Sequence, residues 1–125
     1  MKSNGNENKI NDVFGDIEYK GTTYKLVFNI NVMENLQEEY GSFDNWVELV
    51  KPKDKNKETD IKALKFVFKE MLNEGIEITN EDNGIDIPLF NDKQAGRIIT
   101  AIGIENANIQ VMKTITESTK STEKN

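Results

Sequence analysis

The chain has 125 residues, 36% of them hydrophobic and 30% charged, with 22 acids against 16 bases for a net charge of −6. It has neither cysteine nor histidine, which removes disulfides, thiolate nucleophiles, the usual zinc ligand sets and the commonest acid–base residue at neutral pH. All but one of the 16 bases are lysine, Arg97 being the sole arginine, and so acidic and arginine-poor a chain lacks the cationic footprint of a nucleic-acid binder.

The length fits one domain able to bury about two thirds of its unfolded surface. No apolar run approaches the ~20 residues that span a bilayer, and the start KSNGNENK is no signal peptide, so a soluble, unexported protein without a membrane partner is expected. Residues 1–15 are polar and expected to be disordered. From Asp16 the pattern alternates. Ile17 and Tyr19 precede a Lys20-Gly21-Thr22 turn, and Tyr24, Leu26, Phe28 and Ile30 follow on a period of two. This reads as a β-hairpin with one apolar face, Gly21 supplying a positive φ at the turn. Two strands alone are marginal in water, so the hairpin must lie on the helices or pair its edges with another copy of the chain.

Asn31 with Glu34 matches a capping box and opens a helix whose inward stripe is Val32, Met33, Leu36 and Tyr40, closed by Gly41. Ser42 caps a second, short helix with Phe43, Trp46, Val47 and Val50 on one face, and Pro52 follows it. Were this pair a DNA reader, its second helix would present Asp44, Asn45 and Glu48 to phosphate, and an ordinary helical hairpin with Trp46 in the core suits it better. Lys51 to Lys57 is a lysine-rich polar loop, read as a solvated linker or as a contact for an acidic partner.

The strongest periodicity lies between Thr59 and Gly75. Ile61, Leu64, Val67, Phe68, Met71 and Leu72 form one stripe, Thr59 or Asp60 caps the start, and Gly75 is placed to stop the helix. Phe66 lies off that stripe, among Lys62, Lys69 and Glu70. The stretch from Ile76 to Phe90 is punctuated by Asn83-Gly84 and Pro88 and reads as a surface loop. It fails as a calcium loop, since Gly84 in the sixth position of an EF-hand would put Phe90 where a bidentate glutamate is required.

Asn91 with Gln94 is a second capping-box match, opening a helix with Ala95, Ile98, Ile99 and Ile102 inward and Gly103 at its end. Gly96 inside it suggests a close helix crossing. A last helix runs from Ile104 to about Ile115 on the stripe Ile104, Ala107, Val111 and Ile115, with Ile109 off it, and residues 117–125 have the composition of a disordered tail. The fold expected is mainly α (α+β): an N-terminal β-hairpin followed by a bundle of about five helices, spanning residues 16–116.

No catalytic constellation emerges. The pairs Glu34–Glu38 and Glu70–Glu74 are i, i+4 neighbours, a spacing that can place two ligands on a metal but is far commoner on exposed helix faces; no glycine-rich phosphate loop is present, and the serines have no histidine to activate them, which leaves only a Ser–Lys dyad open. No metal, cofactor or enzymatic activity is expected. What remains is surface: Phe66 and Ile109 are either a second core face or an intermolecular contact.

The order EYKGTTYKLVFNI, VMENLQEEYGS, FDNWVELV, IKALKFVFKEMLNEG and DKQAGRIITAIGIENANIQVMKTI resembles the tail assembly chaperones encoded by long-tailed phages and prophages of low-GC Gram-positive bacteria, over roughly Ile17 to Ile115. The resemblance rests on Tyr24-Lys-Leu-Val-Phe leading into a helix, Tyr40-Gly41-Ser42, Leu72-Asn-Glu-Gly75 and the Gln94-Ala-Gly-Arg-Ile-Ile run. It implies a self-associating, non-catalytic protein of the host cytoplasm that binds the tape-measure protein, helps recruit tail-tube subunits and is missing from the mature virion. Partner contacts would then fall on Phe66, Ile109 and the hairpin residues Tyr24, Leu26 and Phe28. The resemblance also implies a longer form, binding the tail-tube protein, made by programmed frameshifting. Glu123-Lys124-Asn125 can be encoded GAA AAA AAC, which contains a slippery A AAA AAC. Competing readings are a head–tail connector or other structural tail component and a small DNA-binding regulator.

Overall fold

The computed structural model describes the backbone of residues 15–124 and side chains as far as residue 119. Strands β1 (Asp16–Tyr19) and β2 (Thr22–Lys25) form an antiparallel hairpin, and helices α1 (Ile30–Tyr40), α2 (Phe43–Val50), α3 (Ile61–Asn83), α4 (Asp92–Ile102) and α5 (Ile104–Lys124) follow. The expected hairpin and five helices are therefore both present. The disorder expected for residues 1–15 falls almost wholly outside the described residues.

The hairpin pairs Ile17 with Tyr24 and Tyr19 with Thr22, and its turn takes positive φ at both Lys20 and Gly21. The apolar alternation continues past Lys25, but the strand does not. Leu26 drops into the core, its N–H bonded to the Gly15 carbonyl, and Val27 donates to the Met71 carbonyl of α3 at 3.1 Å. Ile30, placed by alternation on the inner face, is instead the exposed first residue of α1. Asn29, not Asn31, caps that helix by accepting from the Val32 N–H, and both asparagines donate to Glu74 of α3.

The chain is organised around α3. Its start is capped by Asp60, whose side chain accepts from the Ala63 N–H. Gly75 does not end it. The helix runs two further turns to Gly84, which takes the left-handed conformation at φ 64°. Residues 76–83 are thus helical rather than loop. Two asparagines one heptad apart then hold the returning chain against α3. Asn80 both donates to the Ile87 carbonyl and accepts from its N–H, and Asn73 does the same with Phe90, every bond at 2.9–3.0 Å. The capping box at Asn91 and Gln94 is formed as expected.

Each helix sends side chains into a continuous core with Ile17 and Leu26 of the hairpin, and Trp46, Leu64, Val67, Phe68, Met71 and Leu72 are fully buried there. Trp46 also donates its indole N–H to the Ala63 carbonyl at 3.0 Å, fastening α2 to the first turn of α3. At the end of α2 the Val50 carbonyl accepts from both Thr59 and Asn108, tying α2, the lead into α3 and α5 at one point.

Helix α5 runs to Lys124 instead of stopping near Ile115. Threonine hydroxyls along α5 bond back to the carbonyl one turn earlier. Thr114 donates to the Gln110 carbonyl and Thr119 to the Ile115 carbonyl.

Candidate functional site

Three isoleucines with wholly aliphatic side chains begin helices: Ile30 in α1, Ile61 in α3 and Ile104 in α5. A helical side chain leans toward the N-terminus, so the first residue projects past the end of its helix rather than onto the core-facing stripe. Ile61 and Ile104 accordingly remain 46% and 47% exposed, although periodicity assigned both to inward stripes. Ile109, five residues beyond Ile104, is 43% exposed.

These residues line two open grooves that meet at Ile104. One, of about 540 Å³, runs along α5 past Ile109, Met112 and Asn108 and is bounded by Thr59 and Lys51. The other, of about 580 Å³, lies between the start of α3 and the end of α4, over Ile61, Ile99 and Ala101. The result is an apolar channel crossing three helices. Among its lining residues Ile99 is buried and belongs to the core. Inside the α5 groove Asn108 donates to the Val50 carbonyl, while its own buried carbonyl oxygen has no hydrogen-bond partner among the described residues.

Of the five contact residues expected from the resemblance, Ile109 lies on this channel. Phe66 is half-buried and covered by Tyr40, whose ring meets it edge-on with centroids 5.5 Å apart. Leu26, at 5% exposure, belongs to the core and has no surface to offer a partner. Tyr24 packs edge-on against Phe90 at 5.1 Å, and Phe28 lies against Phe43 at 6.3 Å. The apolar face of the hairpin is therefore covered from within the chain by α2, α3 and the segment before α4. Periodicity missed Ile61, Ile104 and Met112, although a branched apolar residue directly after a helix cap is a signal the sequence carries.

Two titratable groups are shifted. Burial, with Glu39 and Asp60 nearby, raises the Tyr40 phenol above its ordinary value. A hydrogen bond and ion pair from Lys69, 2.9 Å away, hold Asp92 below the usual carboxylate range. Neither shift creates a group poised to exchange a proton at neutral pH. Among the described residues no three acids converge as a metal site would require, and no helix is long and apolar enough to cross a membrane. On the helical hairpin α1–α2, the exposed polar side chains of α2 include Asp44, Asn45 and Glu48, an unfavourable surface beside phosphate. Comparison with known proteins finds no matching family model, characterised protein or solved structure.

Proposed function

We propose that this protein is a non-catalytic tail assembly chaperone of a long-tailed phage or prophage. It binds the tape-measure protein in the host cytoplasm, helps recruit tail-tube subunits, self-associates and is left out of the mature virion. The observation that supports this reading best is the apolar channel through Ile61, Ile104 and Ile109, which is open to solvent. A tape-measure protein is a long helical chain with apolar stripes, and a preformed channel of this kind accepts an amphipathic helix by laying its apolar face into the groove. Shielding of that stripe needs no bond-making chemistry.

The test is co-expression with the large coiled-coil-rich product of a neighbouring gene. The chaperone should move that product from the insoluble to the soluble fraction and co-purify with it. Equal insolubility with and without this chain defeats the reading, as does finding the chain in purified virions, which would favour a structural tail component.

A further inference from the structure

The chain is acidic, yet its apolar channel is rimmed by cations. Lys65, Lys93 and Arg97 line the α3–α4 side and Lys51 and Lys113 the α5 side, with Glu105 as the one acid among the lining residues of the two grooves. The lysine-rich loop continues outward from Lys51 through the exposed Lys53, Lys55 and Lys57. A net charge of −6 makes this concentration of cations a local arrangement, not a reflection of composition.

Helix α3 shows the same segregation. Its first half carries Lys62, Lys65 and Lys69, and its second half carries Glu70, Glu74, Glu77, Glu81 and Asp82. This order opposes the helix dipole, which favours acids near the N-terminus and cations near the C-terminus. Helix stability therefore does not account for it. Part of the acidic half has an internal explanation, since Glu74 accepts from Asn29 and Asn31, and Glu70 accepts from Asn35, fixing α1 on α3. In the basic half Lys69 is engaged with Asp92. Lys65, whose charge also acts on Asp92, lies against α4, its Cδ within van der Waals reach of a Cβ placed on Gly96. Its methylenes thus form part of the channel wall.

We propose that this channel selects an amphipathic helix whose apolar stripe is flanked by acidic side chains. The stripe covers Ile61, Ile104 and Ile109, and the flanking carboxylates meet Lys65, Lys93 and Arg97. The proposal deepens the chaperone reading and rests on it for the source of the helix, but the acidic preference follows from the rim.

The experiment uses the full chain and two fluorescently labelled synthetic helical peptides that share one leucine stripe, flanked by glutamate in one and lysine in the other. Binding is followed by anisotropy. The glutamate peptide should bind at least about tenfold more tightly at low salt, with the advantage shrinking as ionic strength rises. Ile104→Asp should abolish binding, and the double variant Lys65→Glu/Arg97→Glu should reverse the preference. Ile109→Asp serves as the second channel variant, and circular dichroism melting verifies that each variant is folded. Equal affinity for both peptides overturns the proposal, as does binding indifferent to both channel substitutions. Failure of the glutamate peptide to bind also overturns it, and self-association that Ile104→Asp dissolves in sedimentation would then assign the channel to a second copy. Solubility rescue of the tape-measure protein without peptide preference sinks this inference and leaves the chaperone reading standing. Acid-selective binding without rescue does the reverse.

Discussion

Gly75 lies directly beneath the backbone carbonyl of Lys25, so that a Cβ on Gly75 would occupy the space of that oxygen. Four residues earlier on α3, the Met71 carbonyl accepts the Val27 N–H. Backbone thus meets backbone where the hairpin docks, and the absence of a side chain at Gly75 makes that approach possible. Gly75→Ala should lower the stability by about 2 kcal/mol even though alanine is the better helix former by about 1 kcal/mol, because overpacking against backbone exceeds the propensity gain. Urea denaturation measures this. An unchanged or higher midpoint would show that the hairpin is not seated on α3 as described.

Gly96 gives the opposite expectation. The sequence suggests that it permits a close helix crossing, but a Cβ there meets only the Cδ of the Lys65 side chain at an ordinary 3.6 Å. Gly96→Ala should raise stability by about 0.5–1 kcal/mol through helix propensity and a less flexible unfolded chain. A loss in the same denaturation experiment would reveal a closer approach of α3 and α4.

Asn73 satisfies both the N–H and the carbonyl of Phe90, mimicking a backbone partner for a segment that has no sheet to join. Asn73→Ala should cost about 1–3 kcal/mol by leaving those half-buried groups without their partner. It should also speed amide hydrogen exchange at Phe90 while sparing Trp46. Uniform acceleration across the chain would mean that the asparagine supports the whole fold and not this loop alone.

The edge-on pair of Tyr40 and Phe66 accounts for the apolar residue that lies off the main stripe of α3. A double-mutant cycle with Tyr40→Ala and Phe66→Ala should return a coupling of about 1 kcal/mol. Independent, additive effects would restore Phe66 as a candidate for contacts outside the chain.

Asp92 joins the first turn of α4 to Lys69 of α3. Its pKa is lower folded than unfolded, where the ordinary value is 3.8, so the ion pair stabilises the fold above that value and the contribution disappears as pH falls through the lowered folded value. The melting temperature of the parent should exceed that of Asp92→Asn at neutral pH, and the gap should close in acid. A gap that persists after Asp92 is protonated would assign its role to packing instead.

Local chemistry made much of this architecture legible. The hairpin turn at Gly21, the caps at Ser42, Asp60 and Asn91, the core position of Trp46 and the glycine stops at Gly41 and Gly103 all follow from short-range rules and appear where those rules put them. Each depends on a few consecutive residues whose backbone groups need partners or whose φ values require glycine. The end of α3 was not legible in the same way. Gly75 has the form of a helix stop, and nothing within four residues distinguishes it from a glycine kept bare for a neighbour distant in sequence.

By itself, then, the sequence determined the number, type and order of the elements, because periodicity and capping are properties of each segment alone. Tertiary structure decided which apolar residues are free to meet another molecule. Leu26 and Ile30 share one alternation, yet Leu26 is enclosed and Ile30 is exposed. Ile104 and Val111 share one helical stripe, yet Val111 is buried while Ile104 stands open at the helix start. The physical reason is that burial depends on what lies beyond the end of an element, and neighbours distant along the chain supply it.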